Sequence, residues 1–277
     1  MEHGEGTFRA TDGLELYRQW WRPDDVPRAV LAVVHGFGEH SGRYGNLVDW
    51  FVPKGFAVHA LDQRGHGRSP GQRGHIPGFA QVRDDVRAFL DAVRGAEGQD
   101  LPTFLIGHSQ GGLTVLNYAL HDPEGLAGVV ASGPLLSSPG VSPLLLQLSK
   151  LFSKIWPTMS LNVGLDATAL SHDREVVEAY VADPLVHGKA SARLGVEVME
   201  AVEWTQAHAA DLRLPLLIVH GGADRLCSPE ASRRFFENVT FADKERIEYK
   251  GFYHEVFNEV GKEKVLSDVE AWLERHL

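Results

Sequence analysis

Ten consecutive residues, Thr103-Phe104-Leu105-Ile106-Gly107-His108-Ser109-Gln110-Gly111-Gly112, pass from an apolar run of strand length through a G-x-S-x-G pentapeptide into a helical pattern. A serine so placed is presented on a sharp strand-to-helix turn, where its hydroxyl can attack an acyl carbonyl. Such a turn strains the serine backbone, and close backbone approach leaves room only for glycine at Gly107 and Gly111. A serine hydroxyl is a poor nucleophile at neutral pH, so it needs an imidazole to take its proton and a carboxylate to hold that imidazole in one tautomer.

The partners should follow in the order Ser, Asp or Glu, His. Of the 14 histidines, three lie beyond residue 213, His220, His254 and His276. His220 sits within the end of a strand rather than after an acid, and the penultimate His276 reads as a solvated surface residue. His254 follows a last strand, residues 246–250, through Gly251-Phe252-Tyr253, which makes it the predicted base. Asp224 lies in the loop beyond the apolar run 215–219, at the sheet edge that also carries Ser109, and is the predicted acid. Its alternative role is that of a turn or cap aspartate before Pro229, while Asp211 and Asp243 follow no strand as clearly. Acyl transfer also needs amide donors for the oxyanion, and the backbone N–H groups of Gln110, after the nucleophile, and Phe37, in the glycine-flanked loop His35-Gly36-Phe37-Gly38, are the candidates.

The elements that must position these groups are legible as a rhythm. Runs 6–10 and 14–21 flank Thr11-Asp12-Gly13, a hairpin signal. Continuous apolar runs at 29–34, 56–61, 103–106, 126–131 and 215–219 suit parallel strands buried on both faces. Helical patterns at 44–54, 79–94, 109–121, 229–238 and 261–277 alternate with them, so a doubly wound α/β sheet is expected. Between 135 and 213 no convincing buried strand appears, which predicts a helical cap inserted into a core of 1–134 and 214–277. Within it Leu144, Leu148, Leu151 and Ile155 form an apolar stripe beside Leu145, Phe152 and Trp156, opposite Gln147, Lys150 and Lys154. That stripe either packs onto the main domain or meets lipid. The segment 190–207, with Leu194, Val198, Ala201 and Val202, reads as an ordinary packed helix.

Composition removes other classes. Lys plus Arg number 27 against 37 Asp plus Glu, a net charge of −10 with no basic run, which argues against nucleic acid as a partner. The acidic, polar start lacks a signal-peptide pattern, no stretch reaches bilayer length, and the single cysteine, Cys227, suits a reducing compartment, so a cytoplasmic protein is expected. His254-Glu255-Val256-Phe257-Asn258 lacks the second histidine of a zinc-protease helix, and Gly36-Phe37-Gly38 does not continue as a nucleotide fingerprint. Neither metal nor cofactor is expected.

Four blocks carry a family likeness: His35-Gly36-Phe37-Gly38-Glu39-His40-Ser41-Gly42-Arg43-Tyr44, Asp62-Gln63-Arg64-Gly65-His66-Gly67-Arg68-Ser69, Gly107-His108-Ser109-Gln110-Gly111-Gly112 and Gly222-Ala223-Asp224-Arg225-Leu226-Cys227. Together they resemble the monoacylglycerol lipases of the α/β-hydrolase superfamily, from about residue 14 to the C-terminus and only weakly across the cap. The resemblance implies an α/β-hydrolase fold and hydrolysis of a small acylglycerol or other lipid ester to fatty acid and alcohol through an acyl-enzyme. It implies that Glu39 and Arg43 line the polar end of the site or brace its loop, and that His108 helps position a glycerol hydroxyl. The block 62–69 is implied to be a structural turn at the rim. Family members often carry Met where this chain has Gln110, which leaves the backbone chemistry intact and bears on how the alcohol is held. A lysophospholipase, a general carboxylesterase and a small-peptide hydrolase would use the same triad, and a hydrolase-fold binding protein would have lost part of it. Transient membrane-surface contact through the cap is a further expectation, and the oligomeric state is left open.

Overall fold

The computed structural model describes residues 1–137 and 143–277, the side chains of 143–148 excepted. Its centre is an eight-stranded sheet. The chain enters through β1 (Glu2–Arg9) and β2 (Glu15–Arg22), then β3 (Ala29–Val34), α1 (Gly45–Phe51), β4 (Phe56–Leu61), α2 (Phe79–Glu97), β5 (Thr103–His108), α3 (Gln110–His121) and β6 (Gly128–Ser132). After α4 (Pro143–Ile155), β7 (Ser160–Asn162), α5 (Arg174–Ala182), β8 (Lys189–Ser191) and α6 (Ala192–Ala207) it returns to the sheet with β9 (Leu216–Gly221), α7 (Pro229–Asn238), β10 (Lys244–Tyr249) and α8 (Lys262–Glu274).

The strand order is β1-β2-β4-β3-β5-β6-β9-β10. From β4 to β10 every pair is parallel, whereas β1, β2 and β4 pair antiparallel. The continuous apolar runs are the parallel strands because both faces of the sheet are covered. On β3, Val30, Ala32 and Val34 join the core beneath α2, α3 and α7, while Ala29, Leu31 and Val33 join the core beneath α1 and α8. Side chains two apart share a face, so one hexapeptide feeds two cores.

The opening hairpin forms as expected, with Gly13 at φ 87 and Asp12 Oδ1 accepting from Leu14 N at 3.2 Å. Its first strand begins earlier than the predicted residue 6, pairing Glu2 with Arg22. The reason is steric: a Cβ on Gly4 would stand 2.4 Å from the Trp20 ring, so glycine in this strand makes room for an indole. A glycine at such a place hides the alternation that would mark a strand.

Between β6 and β9 the described part holds helices and one two-stranded ribbon, β7 antiparallel to β8. The helix expected at 190–207 is α6, with Leu194, Ala201 and Val202 buried. The apolar stripe expected on the helix before it is a different matter. Residues 138–142, and the side chains of Leu144, Leu145, Gln147 and Leu148, lie outside the described residues. At the described positions the stripe does not pack onto the main domain: Ile155 is 71% exposed and Trp156 59%, with Leu151 and Phe152 exposed beside them, while Ser153 faces inward. Periodicity reports an apolar face but not what covers it.

Candidate active site

Every parallel strand ends at the same edge of the sheet, so the loops after β3, β5, β9 and β10 gather there and bring together residues spread over the whole chain. Ser109 stands between β5 and α3 with φ 56 and ψ −119, the sole non-glycine residue with positive φ among the described residues. A backbone held there costs about 1–3 kcal/mol and persists only where its surroundings enforce it. They do: a Cβ on Gly107 would lie 2.2 Å from Gly111 O, and one on Gly111 would lie 2.2 Å from Val34 O. Ser109 N donates to Ser132 O at 2.9 Å, and Ser109 O accepts from Leu113 N and Leu135 N, so the elbow is tied to β6 and α3 at once.

Asp224 and His254 come together across the sheet edge. The His254 Nδ1–Asp224 Oδ2 distance is 2.7 Å, and the Asp224 side chain has no solvent exposure. Its second oxygen accepts from Leu226 N at 2.8 Å and Cys227 N at 2.9 Å. Burial opposes ionisation of this carboxyl, but hydrogen bonds with His220 and His254, the His254 charge and the Cys227 amide overcome it and hold Asp224 well below the usual carboxylate range. The His254 ring packs on His108, the residue before the nucleophile, with centroids 4.5 Å apart. Among the described residues no hydrogen bond joins Ser109 Oγ to His254, and the serine hydroxyl lies 3.9 Å from Cys227 Sγ instead. Such bonds are often loose without substrate. Cys227 is buried, and burial, with the nearby Asp224 charge, pushes its thiol well above the ordinary range, so it is a poor nucleophile.

The loop after β3 rests on the elbow, since a Cβ on Gly36 would be 3.1 Å from Ser109 Cβ. The amides of Phe37 and Gln110 donate to no acceptor among the described residues. Gln110 begins α3, where an N–H has no intrahelical partner. His35 fixes the loop from behind: its Nε2 accepts from Gln63 N at 2.9 Å, which leaves Nδ1 to donate to Gly36 O at 2.7 Å. Asp62 in the second block accepts from Ser41 N and Arg68 N, so that block braces the rim as a turn.

Glu39 and Arg43 are buried in a brace. Glu39 accepts from Gly36 N at 2.7 Å and Tyr44 OH at 2.9 Å, and Arg43 reaches from Glu39 to form a two-pronged pair with Glu255 at 2.7 and 2.9 Å. Burial would raise the Glu39 carboxyl, but the Arg43 guanidinium beside it and the Gly36 N–H hold it well below its ordinary value. The cavity beside it, lined by Glu39, Tyr44, His108, Glu255, Phe257 and Asn258, has a volume of ≈ 10 Å³. That holds about one water and no glycerol. His108 Nδ1 lies 3.2 Å from Ser132 Oγ, and burial reinforced by nearby His254 pulls the ring down to about 4, so it is neutral at pH 7.

Sequence reasoning passed over two participants. Glu255 carries no motif signal, being a neighbour of His254 on a loop. His220 reads as a residue at the end of a strand, and its Nε2 is 3.1 Å from Asp224 Oδ2. The signal was the four-residue spacing from His220 to Asp224 across Gly221-Gly222-Ala223, short enough for the loop to curl back. His276, expected in solvent, is mostly covered: it packs on Trp272 and faces Asp243, far from the site.

Described residues between β6 and β9 meet the loops at this edge. His187 N donates to Gly38 O at 2.9 Å, Asp183 pairs with His40 at 2.8 Å, and Tyr180 lies 4.7 Å below the Arg43 guanidinium.

Residues 25–261 match the family described as Serine aminopeptidase, S33. The chain is 38% identical over 275 residues to the monoacylglycerol lipase of Mycolicibacterium smegmatis, covering 99% of this chain and 98% of that one. To the monoglyceride lipase of Mus musculus it is 32% identical over 271 residues, 96% of this chain and 89% of that one. The solved structure of the monoacylglycerol lipase of Paleococcus ferrophilus superposes with a TM-score of 0.87 at 38% identity, covering 95% of this chain and 100% of that one.

Proposed function

The chain belongs to the monoacylglycerol lipase family of the α/β-hydrolase superfamily, and from that membership we propose that it cleaves the ester bond of monoacylglycerols, giving fatty acid and glycerol through an acyl-enzyme on Ser109. The observation that carries the site assignment is the 2.7 Å bond between His254 Nδ1 and Asp224 Oδ2 at the sheet edge that also presents Ser109. In this reading the Ser109 hydroxyl turns from Cys227 toward His254 Nε2, which takes its proton as Oγ attacks the carbonyl carbon. The oxyanion is received by the Phe37 and Gln110 amides, which donate to no acceptor among the described residues. His254 then protonates the departing glycerol oxygen; a water gives a proton to the same imidazole as its oxygen attacks the acyl carbon, and His254 returns that proton to Ser109 Oγ as the Oγ–acyl bond breaks and the fatty acid leaves.

Glu39 and Arg43 serve by bracing rather than by touching substrate, because their polar atoms are spent on Gly36, Tyr44 and Glu255. They couple the oxyanion loop to the residue after the base. His108, neutral and next to Ser109, is the group we place nearest the glycerol hydroxyls. Residues 135–213 act as a cap on the core of 1–134 and 214–277, with the acyl chain beneath. One comparison tests this: on monoacylglycerols of graded chain length, lysophospholipids and aminoacyl arylamides, kcat/KM is expected to be highest for a monoacylglycerol. A higher value on lysophospholipid or arylamide moves the enzyme to the corresponding class.

The exposed apolar residues of α4 and beyond, Leu151, Phe152, Ile155, Trp156 and Leu161, lie with Lys150 and Lys154, and support reversible docking of the cap on an anionic lipid surface. No described helix is long and apolar enough to cross a membrane. Cosedimentation with anionic phospholipid vesicles at low salt is expected, weakening on Ile155→Asp; a protein that stays in the supernatant removes the docking role.

A further inference from the structure

Asp224 Oδ2 lies within hydrogen-bond distance of two imidazoles, His254 Nδ1 at 2.7 Å and His220 Nε2 at 3.1 Å. His220 is wholly buried at the end of β9, and its Nε2 also lies 3.2 Å from Cys227 O. A carboxylate and a carbonyl only accept, so the proton is assigned to Nε2. Nδ1 is buried and has no partner among the described residues, so nothing there competes for the proton. We propose that His220 is a positioning residue for the acid of the site: it donates to the oxygen that faces His254, fixes the rotation of the carboxylate, and takes up part of the charge that His254 would otherwise meet. The proposal rests on the Ser109, His254 and Asp224 reading given above.

The geometry requires both parts. Leu226 N and Cys227 N hold Asp224 Oδ1, and His254 and His220 hold Oδ2, so each oxygen carries two donors and the group has no freedom to tilt. In a water-free setting a second donor on one oxygen withdraws charge from the first bond. Without His220, Oδ2 would turn its full charge on His254 and favour the imidazolium, which cannot accept the serine proton. The acidic limb of activity would then move to higher pH.

Other ionisable groups face this cluster. Glu248 of β10 is paired in register with His220 but is engaged by Arg233 and Arg246. Glu255 is engaged by Arg43, Arg225 is over the Tyr253 ring, His108 is held neutral, and Cys227 is held as a thiol. None of them donates to Oδ2.

The test is the pH profile of kcat/KM on a soluble ester for His220→Leu, His220→Gln and His220→Asn. In His220→Leu the acidic limb is expected to rise by about half a pH unit, the scale on which one neutral hydrogen bond moves an ionisation. Its kcat should fall about tenfold with KM nearly unchanged, as when a ligating group loses its outer hydrogen-bond partner. Gln places an amide nitrogen near the Nε2 position and is expected to bring the limb back; Asn is too short to reach and should resemble Leu, which keeps the test intact should the Leu variant not fold. A role confined to tying down the Cys227 loop would lower thermal stability and leave the limb in place, and that result overturns the proposal. So does a Gln variant with the same displaced limb as Asn. Asp224→Asn run alongside separates the two levels: if it retains full turnover, the acid assignment itself has failed.

Discussion

Ser109→Ala is expected to abolish covalent labelling by a fluorophosphonate and to lower turnover of a soluble ester by about 10⁶, as loss of the nucleophile does in other serine hydrolases. The fold should survive, because the hydroxyl's described side-chain contact is with Cys227 Sγ at 3.9 Å, and alanine takes no more room. What remains should be the acceleration due to the Phe37 and Gln110 amides and to substrate binding, about 10³–10⁴ over water. Cys227 is too firmly protonated to replace the serine. A protein that still takes up the label would place the nucleophile elsewhere, and the φ 56 elbow would then need another explanation.

Asp224→Asn is expected to cost about 10⁴ in turnover, since the wrong imidazole tautomer is then favoured. The hydrogen-bond arrangement gives this chain its own reason. Leu226 N and Cys227 N meet one oxygen and the two imidazoles meet the other, so every group around the carboxylate is a donor. An amide presents an acceptor at one end only. If its NH₂ faces the backbone, two N–H groups are left unpaired; if it faces the imidazoles, His254 must turn its proton toward Ser109 and can no longer accept one. Burial makes either choice costly, because an unsatisfied donor there loses its water without a replacement. A lowered melting temperature should accompany the lost rate, and unchanged kcat would pass the acid role to another carboxylate.

Much of this was legible along the chain because the signals are local. The runs 29–34 and 56–61 and the helix 229–238 have the observed bounds, since strands buried on both faces are continuously apolar and Ser228-Pro229 is a plain helix start. Other features depend on what lies opposite. The start of β1 at Glu2 rather than Gly6 is legible only once Trp20 is seen over Gly4. The stripe on α4 has the period of a packed helix, yet Ile155 and Trp156 stand in solvent. His220 looked like a strand residue and is one, but strand end and sheet edge coincide there, so it faces the acid loop.

By itself the sequence determined the order of strands and helices in the core and the candidate reacting groups, with glycines where backbones must touch. These are consequences of side-chain size, polarity and spacing over a few residues. It did not determine that His220 and His254 share one oxygen of Asp224, that Ser109 Oγ rests toward Cys227, or that Arg43 grips Glu255 across 212 positions. Those follow from strand order in the sheet, which sets which loops meet at its edge. Hydrogen bonds made there depend on tenths of an ångström between groups whose separation along the chain carries no information about their separation in space.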